Sequence, residues 1–159
     1  MAKQSVYVET TIASYLVAKP SADRLTAVRQ ELTKKWWDTR HKYALMISPE
    51  VVREISMGDL HYAERRKTLL ANISAVNVTD AVIRVTEALL APSVFPAKAR
   101  SDAIHLAFAS AYATDVLLTW NLKHIANPVA MKRSREIITM LGHAMPEICT
   151  PEQLLASGD

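Results

Sequence analysis

The sequence predicts an α/β fold in three layers, α/β/α, around a central and mostly parallel sheet of four to five strands. Two observations carry this prediction. Short β-branched and apolar runs alternate with helical segments along the whole chain, which is typical of a sheet covered by helices on both faces. The 159 residues, with 50% hydrophobic and 22% charged content, suit one globular core. We therefore expect a single domain over residues 1–159.

Five short runs of the sequence predict the strands. They are rich in β-branched and apolar residues and are bounded by residues that favour turns or helix starts. The last is expected as a short edge strand before a terminal helix. In chain order the runs are 5–8, 43–47, 75–78, 116–119 and 147–149.

The helices between these runs have recognisable capping residues. Ser48 and Pro49 predict the N-cap and first residue of a helix that ends at Gly58. Thr79 and Asp80 are expected at the start of another helix. A first helix follows the first strand, and the longer predicted helices cover 23–38, 59–71, 97–113 and 128–141.

The helix over 23–38 has its apolar residues three and four positions apart. Leu25, Val28, Leu32 and Trp36 form one face, which we expect to pack against the core. The adjacent Trp36 and Trp37 cannot both face inward from one helix. One of them is therefore a candidate contact for a second subunit or a partner.

The segment before the alanine-rich helix 97–113 contains Pro92 and Pro96, which are expected to interrupt the chain there. The most apolar long window, 103–120, is interrupted by polar residues such as His105, so we expect no membrane span. The first residues also lack the apolar core of a signal peptide. A cytoplasmic location is expected.

Composition excludes two classes of site. The only glycines, Gly58, Gly142 and Gly158, leave no glycine-rich loop for a nucleotide phosphate. The single cysteine, Cys149, can form neither an internal disulfide nor a cysteine-type zinc site. The net charge of +3 gives weak support for a polyanionic partner.

Four polar residues are expected at one edge of the sheet. Glu9 follows the first strand, Asn121 follows the strand over 116–119, and Glu54 lies in the helix after the second strand. Asp102 lies near the start of the helix that leads to the strand at 116. That helix is expected to start near the same carboxyl edge, so Asp102 lies there too. Carboxylate and amide oxygens are ligands for Mg²⁺ or Mn²⁺, which can support hydrolysis of a phosphoryl ester.

Four sequence motifs around these residues resemble the PIN-domain family of nucleases, particularly the VapC-type toxins of bacterial toxin–antitoxin pairs. The resemblance covers nearly the whole chain, and its third motif is the most specific. The motifs are Val6–Thr11, Ser48–Glu54, Ser101–Ala107 and Leu117–Asn121.

The resemblance implies a PIN-like fold and a metal-dependent endoribonuclease that acts on RNA in the cytoplasm. It also implies a small antitoxin as partner and a homodimer. The metal-binding acids of the family fall on Glu9, Glu54 and Asp102, with Asn121 at a position that is usually aspartate. Glu9 also replaces an aspartate that is more often found after the first strand.

Some of these residues have simpler interpretations. Glu9 could be only a carboxylate at a helix N-terminus, and Glu50 is most simply a helix-capping residue. Asn121 could be an ordinary loop residue after a strand. His105 is more often a satisfied core or supporting group than a catalytic base, so it stays outside the predicted catalytic set.

Two other functions remain open. A PIN-like domain whose altered cluster no longer supports turnover could persist as an RNA-binding or protein-interaction module, and Asn121 is the residue that keeps this alternative open. A DNA nuclease is the third possibility.

Overall fold

The computed structural model describes residues 2–91 and 94–158, and its centre is a sheet of four parallel strands in the order β2-β1-β3-β4. The strands are β1 Ser5–Val8, β2 Ala44–Met46, β3 Val116–Leu118 and β4 Glu147–Cys149. The pairing is in register across the sheet, with Tyr7 of β1 opposite Met46 on one side and Leu117 on the other. The predicted fold class is confirmed.

Eight α-helices surround this sheet in the described part of the chain. They are α1 Thr10–Val17, α2 Arg24–Asp38, α3 Pro49–Ile55, α4 Leu60–Leu70, α5 Asp80–Leu90, α6 Arg100–Ala111, α7 Pro128–Met140 and α8 Pro151–Ser157. Both central strands are fully buried at consecutive residues, including Val6, Tyr7, Leu117 and Leu118. Such burial is expected when helices cover both faces of a parallel sheet.

The prediction of a strand over 75–78 is wrong. Only Ala75 forms a parallel bridge, to Ile47, and the NH of Val76 donates to the carbonyl of Ile47 at 2.9 Å. The NH and carbonyl of Asn77 instead bond the hydroxyl of Tyr112, at 3.1 and 2.7 Å. Because a side chain satisfies this backbone, the segment does not continue as a fifth strand.

The helix that starts at Ser48 ends earlier than predicted, at Ile55 rather than Gly58. Arg66 of α4 accounts for this, since its guanidinium donates to the carbonyls of Ile55 and Met57, at 3.0 and 2.6 Å. Those carbonyls lie at the helix end, where such groups lack partners within the helix. Gly58 then adopts a φ of +81°, a left-handed conformation that favours glycine.

The predicted apolar face of α2 is wrong in its first half, because Leu25 and Val28 are 60% and 53% exposed. The helix buries Gln30, Thr33 and Trp36 instead.

The two polar residues in this buried set, Gln30 and Thr33, have hydrogen-bond partners. The amide of Gln30 accepts from the NH of Ser21 and donates to the carbonyl of Lys19. The hydroxyl of Thr33 accepts from the indole of Trp120 at 2.8 Å. Hydrogen-bonded polar side chains can therefore fill the contact that apolar spacing predicted for Leu25 and Val28.

The side chains of the two adjacent tryptophans of α2 point to different environments, as expected for neighbours on one helix. Trp36 is fully buried, whereas Trp37 is partly exposed and has the guanidinium of Arg40 over its ring, 4.6 Å from the centroid. The exposed face of Trp37 is thus partly covered by the chain itself.

The start of α6 lies near the predicted break. A single 3-10 turn, Ala97–Ala99, separates Pro96 from the helix, and Pro92 lies outside the described residues. None of the helices in the described ranges is both long and apolar enough to span a membrane.

Candidate active site

The carboxyl ends of β1, β2 and β3 bring the predicted acidic motifs to one edge of the sheet. The NH of Glu9 donates to the carbonyl of Leu118 at 3.1 Å, so the ladder between β1 and β3 extends to this edge. Ser48 caps α3 just after β2, accepting from the NH of Val51 at 3.3 Å. Glu9 and the cap of the helix that carries Glu54 therefore lie where parallel strands end, which is the usual ligand-binding edge of such sheets.

Glu9 is a buried carboxylate held by hydroxyl and backbone donors. It is only 3% exposed. Its Oε1 accepts from the hydroxyls of Thr11 and Thr119, at 2.5 and 2.8 Å. The NH of Thr11 lies 3.1 Å from both carboxylate oxygens, so Glu9 also caps α1. Glu9 is therefore a helix-terminal carboxylate, as the simpler interpretation expects, and the same contacts fix its orientation at this edge of the sheet.

Asn121 connects Asp102 to the neighbourhood of Glu9. Its Nδ2 donates to Oδ1 of Asp102 at 2.8 Å, and its NH donates to the hydroxyl of Thr119 at 2.9 Å. Its own Oδ1 accepts from the NH of His124 at 3.0 Å. In this arrangement Asn121 presents a donor to Asp102, and its amide oxygen is already used within its own loop.

Asp102 is a partly buried carboxylate in a negative environment. Burial raises its pKa above the ordinary value, and the negative charges of Glu9 and Glu54 raise it further, against the opposite effects of His105 and His124. No salt bridge to Asp102 occurs within the described ranges. Asp102 thus lies close enough to two other acids to interact with them while lacking a paired side-chain cation there.

Glu54 is engaged differently, by a histidine. Its Oε1 accepts from Nε2 of His105 and from the hydroxyl of Thr10, the latter at 2.7 Å. Burial alone would raise the pKa of Glu54, but the hydrogen bond and charge of His105, together with Thr10, outweigh it and lower the pKa to about 2. Glu54 is therefore held ionised beside an imidazole.

Glu50 lies on the same helix but outside this cluster. Its carboxylate bonds Arg53, one turn along α3, and accepts from the hydroxyl of Ser101 of α6 at 2.5 Å. Burial would raise its pKa, but these hydrogen bonds outweigh burial and lower the pKa. Glu50 thus links α3 to α6, a contact that helix-capping considerations did not predict.

Whether these residues can hold a metal depends on how many oxygens are free. Across residues 2–91 and 94–158, no group of three or more His, Cys, Asp or Glu side chains is arranged to hold a metal ion. Two carboxylates nevertheless suffice for Mg²⁺, which keeps several waters and is commonly bound through one or two acids. Glu9 and Asp102 fit that requirement, because among the described residues Oε2 of Glu9 accepts only from the NH of Thr11 and Oδ2 of Asp102 has no donor.

The sequence predicts that the four acidic and amide residues lie at one edge of the sheet, but it does not predict their hydrogen-bond partners. Thr10, Thr11 and Thr119 supply the hydroxyls that hold the two glutamates, and each follows a strand directly or within three residues. Threonines at strand ends are the available signal, but they read equally well as helix caps. His105, set aside as a core group, is fully buried and contacts Glu54.

No protein-family model matches this chain, and no curated protein matches it either. The resemblance of its four motifs to PIN-domain nucleases therefore remains a prediction from the sequence.

Proposed function

We propose that this protein is a PIN-type ribonuclease that hydrolyses RNA phosphodiester bonds with the help of Mg²⁺ or Mn²⁺. The observation that carries the proposal is the meeting of Glu9 and Asp102 at the carboxyl edge of the sheet, connected through Thr119 and Asn121. Two repelling carboxylates at the ligand-binding edge of a parallel sheet favour a hard divalent cation.

The side chains of this cluster would have different roles in hydrolysis. When bound, the metal would supply an activated water and neutralise charge that develops on the phosphate. Glu9 and Asp102 would hold it, with Glu54 adjacent. Thr11 and Thr119 keep the carboxylate of Glu9 in one orientation. Asn121 orients Asp102 by donating to its Oδ1.

RNA as substrate has support from the charge around the cluster. Lys123, His124 and Arg133 line a surface depression of about 300 Å³ beside the loop that carries Asn121. The NH of His124 bonds Oδ1 of Asn121, so this depression adjoins the acidic cluster. A lysine and an arginine beside a phosphate-cleaving site suit a polyanionic chain.

The biological setting follows from the motif resemblance. We propose the toxin of a type II toxin–antitoxin pair that acts in the cytoplasm as a homodimer and is bound by a small antitoxin protein. Co-purification with the product of a neighbouring short reading frame would test the antitoxin.

The proposal is tested by removing one carboxylate. Asp102→Asn should lower cleavage of a labelled single-stranded RNA at least about 100-fold, since even groups that only support a metal ligand contribute about 10–100-fold. Asp115→Asn is the matched control, because Asp115 lies at the start of β3, at the opposite edge of the sheet. Chelator should abolish wild-type cleavage, and Mn²⁺ should restore it.

Three results would contradict the proposal. Equal cleavage by wild type and Asp102→Asn would place the activity elsewhere, and cleavage that persists in excess chelator would remove the metal. Preference for a DNA strand of the same sequence would replace RNA as the substrate.

A second candidate function is RNA binding without turnover. The observation that favours it is the use of Asn121 as a donor, since its oxygen is occupied by the NH of His124. A wild-type protein that binds the labelled RNA but leaves it intact with Mn²⁺ would select this function.

A further inference from the structure

His105 has no part in the hydrolysis proposed above, yet both of its ring nitrogens are engaged at the centre of the fold. The side chain is fully buried. Nε2 meets Oε1 of Glu54, and Nδ1 lies 2.7 Å from the hydroxyl of Tyr7. A buried polar side chain is ordinarily satisfied by whatever backbone groups lie near it. Here both partners are side chains, and one belongs to the acidic cluster.

The hydrogen bonds of His105 form a chain that ends on Glu54. An ionised carboxylate can only accept, so Nε2 of His105 carries the hydrogen that bonds Glu54. Nδ1 bonds the hydroxyl of Tyr7: a neutral imidazole accepts from it, and an imidazolium donates to it. The same hydroxyl bonds Ser48, whose Oγ lies 2.6 Å away. Ser48, Tyr7 and His105 therefore form a satisfied chain that ends on one oxygen of Glu54.

This chain connects the three elements that carry the acids. Tyr7 lies on β1, two residues before Glu9, which follows the strand. Ser48 caps the helix that carries Glu54. His105 lies on α6, one turn after Asp102. A shift of any one element would break a buried hydrogen bond, which is costly because the abandoned polar group has no water to replace it.

The consequence at Glu54 is a fixed carboxylate. His105 and Thr10 both bond Oε1, so rotation of the carboxylate would cost two hydrogen bonds. Both side-chain hydrogen bonds of Glu54 among the described residues go to Oε1. The hydroxyl of Ser101 also lowers the pKa of Glu54 but bonds Glu50, and the side chain of Glu54 is 25% exposed. Oε2 is therefore the oxygen available to a ligand of the cluster.

We infer that His105 is a positioning residue of the proposed hydrolysis: it holds Glu54 through Oε1, with Tyr7 and Ser48 behind it, so that Oε2 stays directed to the reaction. This inference rests on the proposed function. It also assigns Glu54 a role through one oxygen only.

Two amide variants distinguish the contributions of the two imidazole nitrogens. His105→Gln can place an amide nitrogen near the position of Nε2 and keep the donor to Glu54. His105→Asn is shorter, so it can reach Tyr7 but not Glu54. Both variants bury a polar amide in the same space, so they share the cost of replacing the ring.

Mn²⁺ binding and RNA cleavage should respond differently to the two variants. We expect His105→Asn to weaken Mn²⁺ binding in calorimetric titration and to lower kcat by about 10–100-fold, the usual effect of removing a group that supports a metal ligand. KM for RNA should change little, because His105 does not touch solvent. His105→Gln should stay within about threefold of wild type in both measurements.

A double-mutant cycle with Glu54→Gln tests whether His105 acts through Glu54. In that background His105→Asn should lower kcat no further, since contacting residues that act as a unit are not additive. The inference is overturned if His105→Asn and His105→Gln lose Mn²⁺ affinity equally, if His105→Asn retains it, or if the two losses add. Wild-type protein that neither binds Mn²⁺ nor cleaves RNA overturns the proposed function itself, and the role of His105 falls with it.

Discussion

Asn121 determines how much negative charge the cluster carries. Its amide donates to Asp102, so a neutral group stands where the motif resemblance expects a carboxylate. The hydrogen bond stabilises Asp102 in its ionised form, whereas a carboxylate at 121 would repel it. Asn121 thus stabilises the folded protein when no cation is present, whereas aspartate at the same position would strengthen the metal site that we propose.

Asn121→Asp should therefore have opposite effects with and without metal. Without metal we expect a loss of about 1–2 kcal/mol in the free energy of unfolding, from a lost hydrogen bond and an added repulsion. Mn²⁺ should bind the variant more tightly than wild type, provided the new carboxylate stays ionised, and should recover the lost stability. Calorimetric titration and thermal unfolding, each with and without Mn²⁺, measure the two effects.

Asn127→Asp is the matched control for this substitution. Oδ1 of Asn127 caps α7 by accepting from the NH groups of Val129 and Ala130, which a carboxylate can also do. Its Mn²⁺ affinity should equal that of wild type. Unchanged affinity in Asn121→Asp as well would mean that residue 121 lies beyond the reach of the metal.

The positions of the acids could be predicted from the sequence, but their individual roles could not. Glu9 follows a strand directly, and parallel strands bring such positions to one edge, so periodicity and chain order suffice. Which oxygen faces which neighbour depends on side-chain packing between distant segments. The bond from Thr119 to Glu9 spans 110 positions, and that from His105 to Glu54 spans 51. A pattern of neighbouring residues in the sequence cannot predict such long-range hydrogen bonds.

At the scale of the elements, Asp115 joins the starts of two central strands. Its carboxylate accepts from the NH and hydroxyl of Ser5, at 2.8 and 2.9 Å, and its NH donates to the hydroxyl of Ser5. These hydrogen bonds lower the pKa of Asp115 below its ordinary value. The contact fixes the ends of β1 and β3 opposite the candidate active site.

The stability that Asp115 contributes should depend on pH. A lowered pKa in the folded state means that the contribution is complete above the unfolded pKa of about 4 and is lost as pH falls through the folded value. We expect Asp115→Asn to cost about 0.5–1 kcal/mol near pH 7, a modest figure because the group is exposed to solvent. Urea unfolding at several pH values should show the difference from wild type shrinking below about pH 4.

A difference between wild type and Asp115→Asn that stays constant into acid would mean that Ser5 bonds the amide as well as it bonds the carboxylate.

Apart from the segment over 75–78, the order of helices and strands followed from the sequence because local signals determine it. The face that a helix buries did not follow from the sequence. Ser48 and Thr79 cap their helices as predicted, since a cap depends on its immediate neighbours. Leu25 and Val28 have the spacing of a core face, yet α2 buries Gln30 and Thr33. Their partners, the carbonyl of Lys19 and the indole of Trp120, come from other segments that periodicity does not consider.

For the whole molecule, the proposed homodimer needs an apolar surface large enough to join two copies. A groove of about 350 Å³ lies between α3, α5 and α6 and is lined by Val78, Ile83 and Ile104, of which Val78 and Ile83 are 57% and 47% exposed. Its lining also contains Arg53 and Glu87, so both signs of charge occur there. A twofold contact repeats each residue in both copies, so such a groove can pair arginine with glutamate across the axis.

A charge placed in this groove should separate the copies. Ile83→Glu would put two carboxylates into an apolar contact, whereas Val28→Glu places the same kind of charge on the exposed apolar positions of α2. We expect light scattering at micromolar protein to give twice the chain mass of 17.7 kDa for wild type and Val28→Glu, and the chain mass for Ile83→Glu. Dissociation by Val28→Glu alone would move the interface to α2. A monomeric wild type would remove the homodimer from the proposal and leave the carboxylates of each copy to act alone.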